Sequence, residues 1–287
     1  MTYRRRSSPL HASRASAAIA YCAALAGCAL VSDSPVVLGA TLVAVIGAGI
    51  AAGVGREIGR AALVAVPLAL LIAIVNPLVA REGLTVLARL GDAGPLGQLD
   101  ITLEAVVYGA VLGLRALVVV LACALYGAAV DPDEVLRLFR RLSLRSALTA
   151  TLATRMVPVL GRDARRMAEA QRCRPGPPPG RPALVRAVAT GALDRAVDVA
   201  ATLELRGYGS AHRPPRSLRA WSRHDAAFAA SAAALVAVIV AARITGAAGF
   251  AAYPTVQIAG GVPEILLAGT LVIAAWLPFA DRRGVLR

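Results

Sequence analysis

Six apolar runs, each about long enough to cross a hydrocarbon layer, leave this chain one class of fold. They extend from about Ala15 to Val31, Val36 to Val54, Ala61 to Ala80, Ile101 to Val130, Ala226 to Ala242 and Val262 to Ala280. A transmembrane helix needs roughly 20 apolar residues, and inside lipid a lone segment satisfies its own peptide groups only as a helix. With 57% hydrophobic residues the chain has far more apolar surface than one soluble core can use. The expectation is an all-α integral membrane protein of about six transmembrane helices. Arg4, Arg5, Arg6 and Arg14 before the first run, and Leu25-Ala26-Gly27-Cys28 within it, also fit a cleaved leader of lipoprotein type. The short polar turn Ser32–Pro35, leading straight into the second run, makes two antiparallel spans the simpler account. Pro67 and Pro278 fall in or at the ends of spans, where neighbouring helices satisfy the freed carbonyls.

Charge sets the orientation. The 31 basic residues are all arginine against 17 acids, a net +14. Eighteen of the arginines lie between Asp131 and Asp225, and others cluster in the N-terminal tail, the Gly55–Arg60 connection and the tail after the last span. The Ser32–Pro35 turn has none, and the polar loop Arg81–Asp100 balances its two with Glu82, Asp92 and Asp100. The positive-inside rule then puts both termini and the arginine-rich insertion on the cytoplasmic side of the cell membrane. Three regions follow: a four-span part over 1–130, a cytoplasmic part over 131–224 and a two-span part over 225–287. Aromatics are only 4% of residues, too few for the stacking platforms of a nucleic-acid binder. Cys22, Cys28, Cys123 and Cys173 have no CxxC spacing and read mainly as buried small hydrophobes. His11, His212 and His224 form no ligand cluster.

The insertion carries the information. Asp131-Pro132-Asp133-Glu134 offers an N-cap carboxylate, a proline in the first turn and acids at the positive end of a helix dipole. Val135, Leu138, Phe139 and Leu142 then alternate with Arg137, Arg141 and Arg145, an amphipathic helix too polar to span and suited to lie along lipid headgroups. A second helix is expected from about Ser146 to Arg174, kinked at Pro158 and stopped before Pro175. Pro175 to Pro182 reads as a rigid, polyproline-like hinge. A third helix, about Pro182 to Arg206, sets Leu184, Val188, Ala192, Val199 and Leu203 on one side and Arg186, Thr190, Asp194 and Asp198 on another. Gly207 suits the left-handed position after it. Both long helices thus end on an arginine, Arg174 or Arg206, with a Pro or Gly directly behind. Cations at helix C-termini complement the dipole for about 0.3–1 kcal/mol each. Two such ends in one insertion also suit docking onto two similar grooves on partner proteins.

At these residues the sequence resembles the transmembrane T component of energy-coupling-factor (ECF) transporters, the family that includes the Q subunit of cobalt importers. The resemblance runs through Ile74-Val75-Asn76-Pro77-Leu78, Ile101–Ala105, Leu114-Arg115, Asp131–Leu144 and Thr154–Pro158 to the two arginine ends. The family signature, Ala-Arg-Gly at the end of each coupling helix, stands here as Cys173-Arg174-Pro175 and Leu205-Arg206-Gly207. The resemblance implies a scaffold with no catalytic chemistry and no cofactor of its own, ATP being bound by partners. Two ABC-type ATPase subunits would dock at Arg174 and Arg206, with Glu204 orienting its neighbouring arginine and Pro158, Pro175 and Pro182 as hinge positions. A separate small membrane protein would capture a vitamin or transition metal, so this chain does not name the substrate.

Other function classes leave weaker traces. There is no phosphate-binding loop, HExxH, GxSxG or Cys–His pair to support an enzyme. A stand-alone secondary transporter is the main alternative, but it calls for inverted repeats and polar midplane residues. Arg115 is the one clear charge inside a span, expected to snorkel or to pair with an acid on another helix. Glu104 and Glu264, near the starts of the fourth and sixth spans, are expected at the interface. An anchor whose insertion binds anionic lipid is the third reading, and it would tolerate moving the arginines.

Overall fold

The computed structural model describes residues 6–79, 85–92, 98–139, 144–173, 180–205, 207, 220–246, 249–251, 257–258 and 261–281. In chain order it comprises α1 (Pro9–Ala12), α2 (Ala15–Val31), α3 (Pro35–Ala51), α4 (Gly55–Val79), β1 (Val86–Asp92), β2 (Gln98–Thr102) and α5 (Leu103–Ala129). There follow α6 (Pro132–Phe139), α7 (Leu144–Arg172), α8 (Arg181–Leu205), α9 (Arg223–Thr245), β3 (Phe250–Ala251), β4 (Gln257–Ile258) and α10 (Val262–Trp276), which ends in a 3₁₀ turn over Leu277–Phe279. The fold is that of an all-α membrane protein. Among the described residues, four helical segments are long and apolar enough to span: Gly55–Pro77, Leu103–Ala129, Arg223–Thr245 and Val262–Phe279. The apolar helices α2 and α3 have 17 residues each, about 25 Å of helix and the short end of the spanning range.

The chain divides into two compact units, Met1–Val135 with Trp221–Arg287, and Leu136–Ala220. In the first, α2 is central, packing on α9, α5 and α3, while α10 packs on α3 and α9. Tyr21, Phe228 and Phe279 meet edge to face around this centre, with ring centroids 5.2 to 6.2 Å apart. Tyr21 is fully buried, so its hydroxyl needs a partner; it donates to the Ala275 carbonyl at 2.8 Å.

The α4–α5 pair is built differently, by close backbone approach. A Cβ at Gly109 would lie 2.8 Å from the Ala73 carbonyl oxygen, and one at Gly113 2.5 Å from that of Ala69. Gly109-x₃-Gly113 therefore faces Ala69-x₃-Ala73, small residues that let two membrane helices touch. Pro77 has no N–H to give the Ala73 carbonyl one turn back, and Gly109 lies against that oxygen. The amide nitrogen of Asn76, beside the same contact, is buried and makes no hydrogen bond within the described structure.

Two features differ from the sequence reading. The polar loop Arg81–Asp100 contains an antiparallel hairpin, pairing Val86 with Thr102, Ala88 with Ile101, Arg89 with Asp100 and Asp92 with Gln98. Ile101 and Thr102 belong to that hairpin, and α5 starts after them, with the Thr102 hydroxyl accepting from the Ala105 N–H. Secondly, Arg56 and Arg60 do not sit in a connection but in the opening turns of α4. A two-rung hairpin, Phe250 with Ile258 and Ala251 with Gln257, lies between α9 and α10.

The second unit consists of the last residues of α6, then α7 and α8, which pack on each other. Asp131 opens α6 as expected, its carboxylate accepting from the Asp133 N–H at 2.9 Å. α7 continues through Pro158 as one helix. The side of α8 formed by Leu184, Val188, Ala192, Val199 and Leu203 is half-buried, while Arg186, Thr190, Asp194 and Asp198 are exposed. Arg195 of α8 donates to Asp163 of α7 at 2.7 Å, which holds the Asp163 carboxyl below the usual carboxylate range.

Candidate functional site

The sequence motifs lie at the C-terminal ends of α7 and α8. Cys173 follows the last turn of α7, exposed, its N–H donating to the Ala170 carbonyl at 3.3 Å. Arg174 and Pro175 lie outside the described residues, as does Arg206. Pro182 sits in the first turn of α8, where a missing N–H costs nothing. Glu204, in the last turn, is exposed. Gly207 has φ 73°, the left-handed backbone that glycine adopts without strain, and its N–H reaches back to the Glu204 carbonyl at 2.9 Å. Between the two helices an apolar groove of about 640 Å³ is lined by Leu160, Ala164, Leu184, Val188, Ala192 and Leu193. Val157, Val185, Val197 and Leu205 are 62% to 88% exposed on the same unit. Two helices alone cannot cover both their apolar sides, so this unit presents exposed apolar surface together with its helix ends.

The membrane unit contains two polar nodes. At the α2–α3 turn, Asp33 accepts from Arg115 of α5 at 2.7 Å and from Arg243 of α9 at 2.9 Å. Arg115 also donates to the Ser32 carbonyl at 2.8 Å, and Arg243 to that of Val31. Arg115 is thus paired with an acid from another part of the bundle. Because Leu103 precedes it by roughly 18 Å of helix, the α4–α5 hairpin reaches beyond that turn. Next to the node Ser34, which caps α3, donates to buried Glu264 of α10. Glu104 is buried too and accepts from the Thr85 hydroxyl at 2.8 Å. Each acid has a hydroxyl partner beyond its own helix.

The second node is at the N-terminus of α2. Arg14 occupies the N-cap position but provides no side-chain cap. Its N–H donates to Asp225 of α9 at 2.6 Å, and the Ala15 N–H to Glu134 of α6 at 3.1 Å. Asp225, fully buried, also closes a capping box with Ser222, and the Arg14 Nε lies 3.3 Å from it. The Arg14 guanidinium sits 5.9 Å from the centre of the Trp221 ring. Glu134 stands in the first turn of α6, as the sequence leads one to expect, and its carboxylate also serves α2. The Ser222-x₂-Asp225 box was readable as a helix start, but its partner in Arg14, 211 residues away, has no local signal.

Cys22 and Cys28 are buried in α2, whereas Cys123 on α5 is exposed, unlike the expected buried hydrophobe. No group of three metal-ligating side chains occurs among the described residues.

With this geometry in place, a family profile described as cobalt transport protein (CbiQ) matches residues 6–216, from α1 to just past α8. The chain belongs to that cobalt transport protein family. No curated protein matches it. As a CbiQ-family member with several apolar helices, it is a multi-pass membrane protein of transport. The match takes in the whole inserted unit except its last four residues, so the exposed helix ends and groove belong to the CbiQ-like part of the chain.

Proposed function

We propose that this protein is the transmembrane scaffold of an energy-coupling-factor importer, a non-catalytic subunit through which two ABC-type ATPase subunits drive a separate small substrate-binding membrane protein. The observation that carries the reading is the inserted unit: two long helices that leave Val157, Val185, Val197 and Leu205 exposed and are followed by the arginine motifs in sequence, inside the CbiQ match. The insertion and both termini face the cytoplasm in this reading, at the plasma membrane, and 131–224 is the coupling region between the four-span and two-span parts. Arg174 and Arg206 each enter an acidic or polar groove on one ATPase, where a planar guanidinium makes paired hydrogen bonds. Gly207 lets the chain turn away directly behind Arg206, Glu204 orients that arginine, and Cys173 and Pro175 flank the other. Pro158, Pro175 and Pro182 set the angle between the two helices. Cobalt or a vitamin is the cargo, held by the partner, while lipid surrounds the spans.

The test is a mild-detergent pull-down and an uptake assay, comparing wild type with Arg174→Ala plus Arg206→Ala. ATPases and a small membrane protein should co-purify with wild type. In the variant the ATPases should be lost and uptake abolished, with membrane insertion unchanged. Normal uptake by the variant refutes the docking assignment, and a wild type that never binds an ATPase favours a self-sufficient transporter.

A further inference from the structure

The chain leaves the membrane unit after Val135 and returns at Trp221. Both crossings are fastened to one place. On the outgoing side Glu134, one residue before the boundary and on a helix that continues into the second unit, caps the Ala15 N–H. On the returning side Asp225 caps the Arg14 N–H, and Trp221 faces the Arg14 guanidinium. The free N–H groups of a helix start favour carboxylate oxygens through hydrogen bonds and through the helix dipole. α2 carries no cap of its own and obtains both carboxylates from the two crossings. Its other contacts are the core of the bundle: α9, α5, α3 and the Tyr21 aromatic cluster.

We propose that Arg14 and Ala15 form a clamp that ties the two crossings to α2, so that displacement of the inserted unit is delivered to the centre of the bundle at this point. Asp225 and Glu134 are the positioning residues. Asp225 acts twice, fixing α9's start through the Ser222 box and α2's start through the Arg14 N–H. A push or twist on either crossing alone therefore turns the same helix. The proposal rests on the reading of the insertion as the ATPase-driven element.

Two measurements separate it from that reading. The first uses the protein alone in lipid nanodiscs and reads amide hydrogen exchange. Asp225→Ala, which removes the acceptor, should speed exchange at Arg14 and Ala15 at least tenfold, and also at 133–135 near the other crossing, whereas Asp225→Asn, which keeps an acceptor oxygen, should retain much of the protection. Loosening confined to 222–226 overturns the clamp whatever the insertion binds. The second uses the assembled transporter with Asp225→Ala plus Glu134→Ala. ATP hydrolysis should stay within about twofold of wild type while substrate moved per ATP falls at least tenfold. Equal transport per ATP overturns the coupling role. If wild type co-purifies with no ATPase, the importer reading fails, and the exchange result still decides whether the clamp exists.

Discussion

The membrane unit and the inserted unit are both helical and both rich in apolar residues, yet they use them in opposite ways. The membrane unit buries Tyr21, Phe228, Leu25, Leu125 and Leu235 almost completely and ties the Tyr21 hydroxyl and the Arg115 guanidinium to distant parts of the bundle. In the inserted unit no described side chain is fully buried, and an ion pair between Arg195 and Asp163 joins α8 to α7. A core of the first kind resists substitution because each large side chain fills space that its neighbours cannot reclaim. A surface of the second kind leaves its apolar groups exposed, which is what the proposed docking requires. The contrast is open to experiment.

The largest effect should come from the aromatic centre. Phe228→Ala removes one ring from a cluster of three and should cost about 3–5 kcal/mol, read as a large loss of thermal stability in detergent; a shift no greater than that of a surface variant would mean the bundle does not depend on this core. Next, Gly113→Ala places a methyl group against the Ala69 carbonyl and should cost about 1–3 kcal/mol. Gly127→Ala on the same helix, where nothing lies within 4 Å, should be near neutral; equal effects would deny the close α4–α5 contact. Tyr21→Phe, which loses only the bond to Ala275, should cost about 0.5–1.5 kcal/mol. In the inserted unit, Leu193→Ser or Val185→Ser should change stability by less than about 0.5 kcal/mol while weakening ATPase co-purification, the reverse of the pattern in the bundle.

The smallest effect concerns pH. Arg195 holds Asp163 below its ordinary value, so the bridge contributes above the unfolded carboxylate range and is lost as pH falls through the depressed folded value. The pair is partly exposed and surface pairs are weak. Acidification through the carboxylate range should therefore loosen α7 from α8 only slightly, and Arg195→Ala should abolish that slight dependence, as judged by exchange at 160–166.

Much of this was legible in the sequence. Hydropathy placed all six apolar helices, and Asp131, Pro132 and Gly207 announced helix ends that the structure contains. The β1–β2 hairpin was missed although Gln98-Leu99-Asp100-Ile101-Thr102 alternates as a strand does, because polar residues around it read first as a loop. Gly109-x₃-Gly113 was present as a known contact pattern but lay unremarked inside a uniformly apolar run. The Asp33 and Arg14 nodes were out of reach for a stronger reason. Their partners are 82 to 211 residues apart, and one sequence holds no sign of which distant charges meet. Of the proposed docking residues, Cys173, Glu204 and Gly207 lie among the described residues, and Arg174, Pro175 and Arg206 lie outside them.

The placement of α2 also orders the birth of the molecule. Its start waits for Glu134, 119 residues later, and for Asp225, 211 residues later. A ribosome adding about 5–20 residues per second needs on the order of ten seconds or more to supply both. Until α9 emerges, the Tyr21 face of α2 has neither Phe228 nor the Ala275 carbonyl to meet and must be sheltered by lipid or by the insertion machinery. The first apolar helix made is thus among the last to be completed, and a chain cut short before Trp221 would hold four apolar helices around an unfinished centre, a ready substrate for membrane quality control.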